Sequence, residues 1–496
     1  MIKSFYRNSV VIILFAFSLN CFAQKQDRIW LFADSAGIDF NDLQNPVAIS
    51  SNIANPCGVS FTSIADRSGQ LLFYSAGVDL SVRPMRIFDR NGNVMQNGET
   101  LLGYPWVGQG NMIIPIPSDS NKYYVFIADI NGSIGNSIYY SIVNMSLNGG
   151  LGSVISRDNL LLTDHVNEKL NAVKHANGRD WWIVVQSTNT DSLFHKFLIT
   201  PDSILGPYDQ FIGSGDNRNK AFGQMIFSKD GSKLVVASEN STIDVFDFNR
   251  CTGNLYNYKA AGEGVFTQQN RYFGCSFSPD GNVFYTSSIW YEYKNIYQYD
   301  LTASNIKATK QIIFSYQDTG QYQQLEMGQH LLGPYDKIYI TKGAGFTGTN
   351  TDTYYTHHMD VILDPNQLGT ACNYQPSYFD LGRGRTIQGL PTMVNYNLGP
   401  VVGSNCDSLT NGITEPIDDK KLFQIYPNPF EDVITIHSIY PINGKLIIFD
   451  EFGKVLFVEK FSENKTFNLS FLSAGIYFFS IETEKKVFKE KFVKMK

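Results

Sequence analysis

Few residues of this chain stand at a spacing that does chemistry, and each such group has a plainer reading beside it. Gly343-Ala344-Gly345-Phe346-Thr347-Gly348 has the GxGxxG spacing that cradles a pyrophosphate, and it follows a strand-like run. The residues after it, TNTDTYYTHHMD, show no helical pattern, so no helix N-terminus waits for the phosphates. His357 and His358 are adjacent. Strand neighbours point to opposite faces, so sharing a metal would need a loop and help from Asp352 or Asp360. Asp129-Ile130-Asn131-Gly132 begins like a calcium loop but lacks the downstream bidentate Glu; the plain reading is an Asx turn. There is no G-x-S-x-G elbow and no H-E-x-x-H. Glu168, Glu239, Glu292 and Glu326 could supply an acid/base pair, but nothing in their spacing selects two of them. No catalytic, cofactor-binding or metal residue is assigned, and no cofactor is expected beyond calcium at the Asp129 loop. Trp106, Trp181, Trp182, Trp290 and Tyr291 would stack on sugars or partners if exposed, although most are expected in the core.

The elements that must position these residues are strands. The 496 residues carry 36 Phe and 28 Tyr, types that favour strands, and 43% are hydrophobic, enough to bury a sizeable core. The charge of −6, from 40 Lys+Arg against 46 Asp+Glu with no basic block, argues against a nucleic-acid partner.

Residues 1–23 read as a secretory signal peptide: Lys3 and Arg7, an apolar run from Val10 to Phe17, then Cys21 and Ala23 as small residues before a cut. The run is too short to span a bilayer, and no later segment has 18 consecutive apolar residues, so no membrane span is expected after signal removal. Five cysteines follow: Cys57, Cys251, Cys275, Cys372 and Cys406. An exported chain keeps disulfides, and Cys251 with Cys275 and Cys372 with Cys406 are the candidate pairs.

A turn followed by an aromatic or β-branched strand recurs from Asp66, Ser118, His175, Ser228, Ser278 and Gly333, at steps of about 50 to 57 residues. Ser278-Pro279-Asp280-Gly281 has the residues of a type I turn in order. Several copies continue into a further strand and turn, as in TIDVFDFNRCTGN. Four strands per unit of this length make a propeller blade. Six units are explicit. The segment Thr386 to Tyr396 reads as one more inner strand without partners, and IWLFADSAGIDF near the start as an outer strand without an inner one. Residues 24–400 are thus expected to form a seven-bladed ring, with six blades as the alternative. In the seven-bladed form both chain ends share one blade and no sheet edge is left open.

The FSPDG-type turns resemble those of WD-like and lactonase-like propellers. IWLFADSAGIDF, NGGLG (Asn148 to Gly152), KLNAVKHANG (Lys169 to Gly178), FDFNRCTG (Phe246 to Gly253) and GLPTMVNY resemble the propeller region of secreted and cell-surface proteins of Bacteroidota. That resemblance implies architecture and lineage, and no defined activity.

Residues 401–420 turn small and polar and read as a linker. Residues 421–496 alternate strands with turns at Pro427-Asn428-Pro429, Asn443-Gly444 and Phe452-Gly453-Lys454, which suits a small Ig-like β-sandwich. This region resembles the C-terminal sorting domain (type A) of type IX secretion substrates. The matching positions are Pro427, Asn428 and Pro429 before Phe430, Gly453, Gly475 with Tyr477, and the basic end with Lys489, Lys491 and Lys494. The resemblance implies passage across the outer membrane by the type IX machinery, removal of this domain, and release or attachment at the cell surface. The run Lys485 to Lys496 is expected to be presented as a recognition handle.

The leading expectation is a secreted or surface, non-enzymatic, adhesion-type binding protein whose ligand is glycan, matrix or a surface protein. The alternative is a secreted lactonase-like or glycan-cleaving enzyme with its site at the central channel. A third reading is a structural part of a gliding or adhesion apparatus. Carboxylates or histidines of shifted pKa lining the channel favour the enzyme, and an exposed aromatic patch without them favours the binder.

Overall fold

In the computed structural model, the described residues are 24–407 and 423–495, apart from 54–57, 78–84, 131–135, 188–191, 215–221, 265–269, 290–292, 318–324, 345–352, 439–442, 451–452, 463–464 and 484–486. The signal segment, Cys57, Asn131, Gly132, Gly345 to Gly348, Asp352, Trp290, Tyr291, Glu292 and most of the linker fall outside them. The chain divides into two compact units, Met1–Ser408 and Leu409–Lys496.

Seven antiparallel sheets follow one another in the first unit, numbered here as blades 1 to 7. Blade 1 has Ile29–Phe32, Ala36–Asp39 and Val47–Ser50. Blade 2 has Phe61–Ala65, Leu71–Gly77 and Met85–Asp89, with single bridges from Phe88 to Val94 and from Met85 to Leu101. Blades 3 to 7 have four strands each and open on Asn111–Pro115, Val166–Lys174, Gly223–Phe227, Tyr272–Phe277 and Leu325–Leu332. The opening strands of successive blades pack on one another and so ring the axis.

The ring closes where the sequence places the closure. Residues 386–392 run between the opening strands of blades 7 and 2: Gln329 N donates to Gln388 O (2.8 Å) and Thr392 N to Phe61 O (2.8 Å). Asp34 and Arg385 exchange backbone hydrogen bonds of 3.2 and 2.9 Å, which joins this segment to blade 1. The protein is a seven-bladed propeller, with one blade built from both ends of the region.

The repeated turns explain why each hairpin forms. Ser228 Oγ donates to Asp230 Oδ1 (2.6 Å) and accepts from Lys233 N (3.0 Å), while Gly231 sits at φ +72°, where any Cβ would be strained. Ser278, Asp280 and Gly281 repeat the arrangement one blade on. Aromatic residues then fill the space between blades. Trp30 meets Phe40 at 4.7 Å and Tyr339 of blade 7 at 5.6 Å. Trp181 and Trp182 are also buried, so they are core and not a sugar-stacking patch.

Both expected disulfide pairs are corrected. Cys251 bonds Cys406, with Cα atoms 5.6 Å apart, and Cys275 and Cys372 are free and buried. Cys251 lies in the turn after Thr242–Asn249, whereas Cys275 is inside an opening strand at the axis, where its thiol meets Gln224 O at 3.4 Å. Cys372 ends the short helix Gly369–Cys372 of blade 7. Cys406 reaches Cys251 because the chain beyond the closing segment runs under blades 4 and 5. There Val401 N donates to Ala176 O (2.8 Å) and Arg250 Nη2 to Gly399 O (2.6 Å).

The second unit packs two sheets around one core. One holds Phe423–Tyr426, Val433–Ser438 and Lys465–Asn468; the other holds Val455–Ser462, Asn443–Phe449, Gly475–Thr483 and Val487–Lys494. Among the described residues no helix is long and apolar enough to cross a membrane.

Candidate functional site

Two places on the propeller axis carry polar groups. The first is at the start of blade 4. A register shift between Val166 and Leu170 takes Glu168 out of the strand ladder. Its Oε2 accepts from Gly108 N (2.9 Å) and its Oε1 from Gly223 N (2.8 Å), tying blades 3, 4 and 5 together. Burial pushes this carboxyl up to about 7, against the pull of both N–H groups and of Lys169. Lys169, fully buried, donates to Ser238 Oγ (3.0 Å). Glu239 is close enough to interact with Glu168 electrostatically; burial raises its pKa too, opposed by Arg271 at 2.9 Å.

Glutamines lace the axis alongside these carboxylates. Gln109 donates to Met225 O (2.9 Å) and accepts from Met225 N (2.6 Å). Gln224 accepts from Cys275 N (2.7 Å) and donates to His330 O (2.8 Å). Gln329 donates to Gly108 O (2.6 Å) and accepts from Leu390 N (2.7 Å). Each side-chain amide acts as a peptide group and bonds a strand that the ordinary ladder does not reach. The channel at this level is filled by the protein itself.

The second place is a cavity of about 660 Å³ on the side of the repeated turns. Its volume lies within the range of small-ligand sites, about 300–1,000 Å³. Trp30, Phe227, Phe277, Leu331 and Met393 give it apolar walls. Asp27, Lys229, Ser276, Asp336, Asn395 and Asn397 give it polar ones. Lys229 Nζ and Asp336 Oδ1 pair at 2.5 Å with both side chains about half exposed, so the cavity reaches the surface there. Asn395 Nδ2 donates to Lys229 O (2.6 Å), and Asn397 Nδ2 to Asp27 Oδ2 (3.5 Å). Asp230 is spent within its own turn, and the serines bound to it lower its pKa despite burial.

Of the four carboxylates noted in the sequence, Glu168 and Glu239 are brought together, Glu326 pairs with buried Lys294 at 2.8 Å, and Glu292 is outside the described residues. His357 Nδ1 faces Gly382 O and Gly384 O at 3.0 and 2.9 Å, and His358 Nδ1 faces Tyr354 O at 2.7 Å, so backbone carbonyls engage each separately. Asp360 is held by Lys342 and Tyr374. Gly343 serves packing: a Cβ there would lie 2.7 Å from Ile387 Cα. Asp129 ends the strand Lys122–Asp129. Among the described residues no group of three or more His, Cys, Asp or Glu is placed to hold a metal. Sequence reasoning missed Asp27, Asn395 and Asn397 of the cavity. They carry no motif, and only the shared direction of the repeated turns could have pointed to that face.

In the second unit the sorting-signal positions are structural. Asn428, between Pro427 and Pro429, donates to Lys491 O (2.9 Å) and accepts from Val493 N (3.1 Å), and Phe430 N donates to Val493 O (2.9 Å). The Pro-Asn-Pro-Phe run thus docks on the last strand. Gly453 turns at φ +82°, Gly475 pairs with Lys494, and Tyr477 Oη donates to Ser473 O (2.7 Å). Lys489 pairs with Ser480 in the ladder, and Lys491 is exposed. Lys494 departs from the expected solvated handle. It is 7% exposed and donates to Glu431 O, Leu469 O (3.2 Å) and Asp432 Oδ1 (3.1 Å), with Phe430 beneath it.

Residues 424–495 match the family described as the secretion system C-terminal sorting domain. The protein is therefore exported by type IX secretion to the cell surface or the medium, and this unit engages that machinery. No curated protein matches the sequence. Among solved structures, a protein described as a 6-phosphogluconolactonase of Bacteroides fragilis is 11% identical. The match covers 73% of this chain and 96% of that one, with a TM-score of 0.43. The periplasmic gluconolactonase of Pseudomonas aeruginosa is 11% identical over 78% and 95%, with a TM-score of 0.39. The Dos1 propeller is 11% identical over 64% and 69%, with a TM-score of 0.37. Likenesses this distant say nothing of activity, and the propeller assignment rests on the seven sheets themselves.

Proposed function

We propose that residues 24–400 act as a non-enzymatic, adhesion-type binding module. Residues 401–420 would link it to the sorting domain of residues 421–496, which is removed on export. The turn-side cavity carries this reading. Its mixture of amides, hydroxyls, one ion pair and apolar walls suits a neutral polar ligand such as the end of a glycan chain. Asp336 pairs with Lys229 and Asp230 bonds within its own turn, whereas Asp27 lies 3.6 Å from Arg28 with no hydrogen bond at Oδ1 among the described residues, and burial raises its pKa against the pull of Arg28. The ligand class is tested by incubating the purified exported protein with soluble and insoluble polysaccharides, scoring co-sedimentation and new reducing ends. Binding without new ends is expected, weakened at least fivefold by Asn397→Ala. New ends, or binding indifferent to Asn397→Ala, would overturn the reading.

One observation favours a secreted lactonase-like or glycan-cleaving enzyme instead. A carboxyl pushed up to about 7 beside a second carboxylate has the proton affinity of a general acid at neutral pH. Against it, Glu168 is 1% exposed and both its oxygens are occupied by backbone N–H groups. Loss of any cleavage in Glu168→Gln, with binding retained, would establish this second reading.

A further inference from the structure

Three neighbouring strands of the sorting domain have the sequence of strands buried on both faces. Leu446-Ile447-Ile448-Phe449, Val455-Leu456-Phe457-Val458 and Ile476-Tyr477-Phe478-Phe479 are each four apolar residues in a row. A sheet with one face in water alternates apolar with polar residues, whereas unbroken apolar runs belong to strands covered on both sides. Within this unit the described residues cover one side. Leu446, Ile448, Tyr477, Phe479 and Phe492 enter the core shared with the three-stranded sheet. The alternate residues face outward and form one surface across all four strands. Val458 stands opposite Ile447, Val455 and Phe478 stand opposite Phe449, and Ile476 stands opposite Val493. Directly paired residues share a face, so these side chains are contiguous. Val455, Val458, Ile476, Phe478 and Val493 are 36% to 50% exposed.

A contiguous apolar surface left in water marks a docking face. Its charges narrow the choice of partner. Lys491 is exposed and paired directly with Phe478, so its ammonium stands within this surface. Residues 485–496 hold six lysines against one glutamate. Glu482, at the edge of the surface, is already taken by Lys445 at 3.3 Å. A second copy seated by two-fold symmetry would press this basic face against itself and bury ammonium groups without counter-charges. A partner that is apolar at its centre and bears carboxylates at its rim fits instead. The match of this unit to the sorting-domain family already supplies a partner, the secretion machinery. We propose that the outer face of the four-stranded sheet, centred on Phe478, is the surface by which the type IX machinery captures the chain. This assignment stands apart from whatever the propeller binds.

The test uses the full-length chain in a bacterium that carries the type IX system. In the triple variant Val458→Thr, Ile476→Thr and Phe478→Thr, each position keeps a residue that suits a strand, while the surface loses its apolar character. These side chains lie outside the core, so the melting temperature of the periplasmic chain is expected to stay within about 2 °C of wild type. The exported amount is expected to fall about tenfold, with the folded chain held in the periplasm. Normal export of the folded variant would overturn the proposal. Photo-crosslinking decides the matter even where the triple variant is unstable. Phe478→p-benzoylphenylalanine keeps an aromatic ring and is expected to couple to a secretion component, identified by mass spectrometry. Thr466→p-benzoylphenylalanine, at an exposed position of the other sheet, is expected not to couple. The proposal fails if position 478 couples to a second copy of this chain or to nothing, or if position 466 couples equally well.

Discussion

Asp34 and Arg385 lie 351 positions apart and are joined by backbone and side chain at once. Their main chains exchange hydrogen bonds, and the guanidinium of Arg385 places Nε (3.0 Å) and Nη2 on Asp34 Oδ2. This charged clasp joins blade 1 to the closing segment and sits where the ring would otherwise open.

Asp34→Ala takes this carboxylate away from the partly buried guanidinium of Arg385. The expected cost is about 2 kcal/mol, read as a lower urea midpoint. Arg385→Ala should cost as much, and the double variant should lose clearly less than the sum, because both singles break one clasp. Additive losses in this cycle would show that the side chains do not act as a pair.

Glu168 sets a pH dependence of known sign. In the unfolded chain its carboxyl ionises near the ordinary 4.5, whereas in the folded ring it keeps its proton to about 7. The folded state binds more protons across that interval. Stability from this group is therefore full below pH 4.5 and falls as pH rises to 7, by about 3 kcal/mol in all. His330 works the other way, costing stability as pH drops below its ordinary 6.5. The Glu168 contribution is isolated by comparing wild type with Glu168→Gln by urea unfolding from pH 4.5 to 8. The difference between them should shrink with rising pH, and a constant difference would refute the assignment.

Much of the ring was legible because its signals are local. Ser228-Lys229-Asp230-Gly231 and Ser278-Pro279-Asp280-Gly281 close their turns with their own side chains, so spacing alone reveals the blades. The closing segment was legible because Thr386 to Tyr396 lacked strand partners nearby. The axis was not legible. Gln109 bonds Met225, 116 positions away, and Gln329 bonds Gly108, 221 away, and no periodicity announces such pairs. The disulfide was misread for the same reason: Cys251 and Cys406 are 155 positions apart and meet only because the chain doubles back under blades 4 and 5.

That disulfide should behave as a staple on the tail of the propeller. It closes a loop of 155 residues, and such a constraint contributes about 2–4 kcal/mol. In the variant with Cys251→Ser and Cys406→Ser, residues 399–407 are held by Arg250 and Ala176 alone. Limited proteolysis is expected to nick that stretch in the variant and in reduced wild type, but not in oxidised wild type. Reductant should add nothing in the variant. Equal resistance in all states would mean the backbone bonds suffice.

Lys494 and Lys491 separate structure from recognition in the sorting domain. The Lys494 ammonium is buried and held by Glu431 O, Leu469 O and Asp432, so Lys494→Ala strips three acceptors of their donor. We expect it to destabilise the sandwich by about 2–4 kcal/mol, seen as faster proteolysis of residues 423–495, and to leave the chain in the periplasm like one lacking residues 421–496. Lys491 is exposed, and its main chain rather than its ammonium receives Asn428. Lys491→Ala should therefore leave the domain folded. If it nevertheless blocks export, the machinery reads the charge at the basic end. If export proceeds normally, the exposed lysine is dispensable, and the sorting signal is the folded shape that Lys494 and the Pro-Asn-Pro-Phe run hold together.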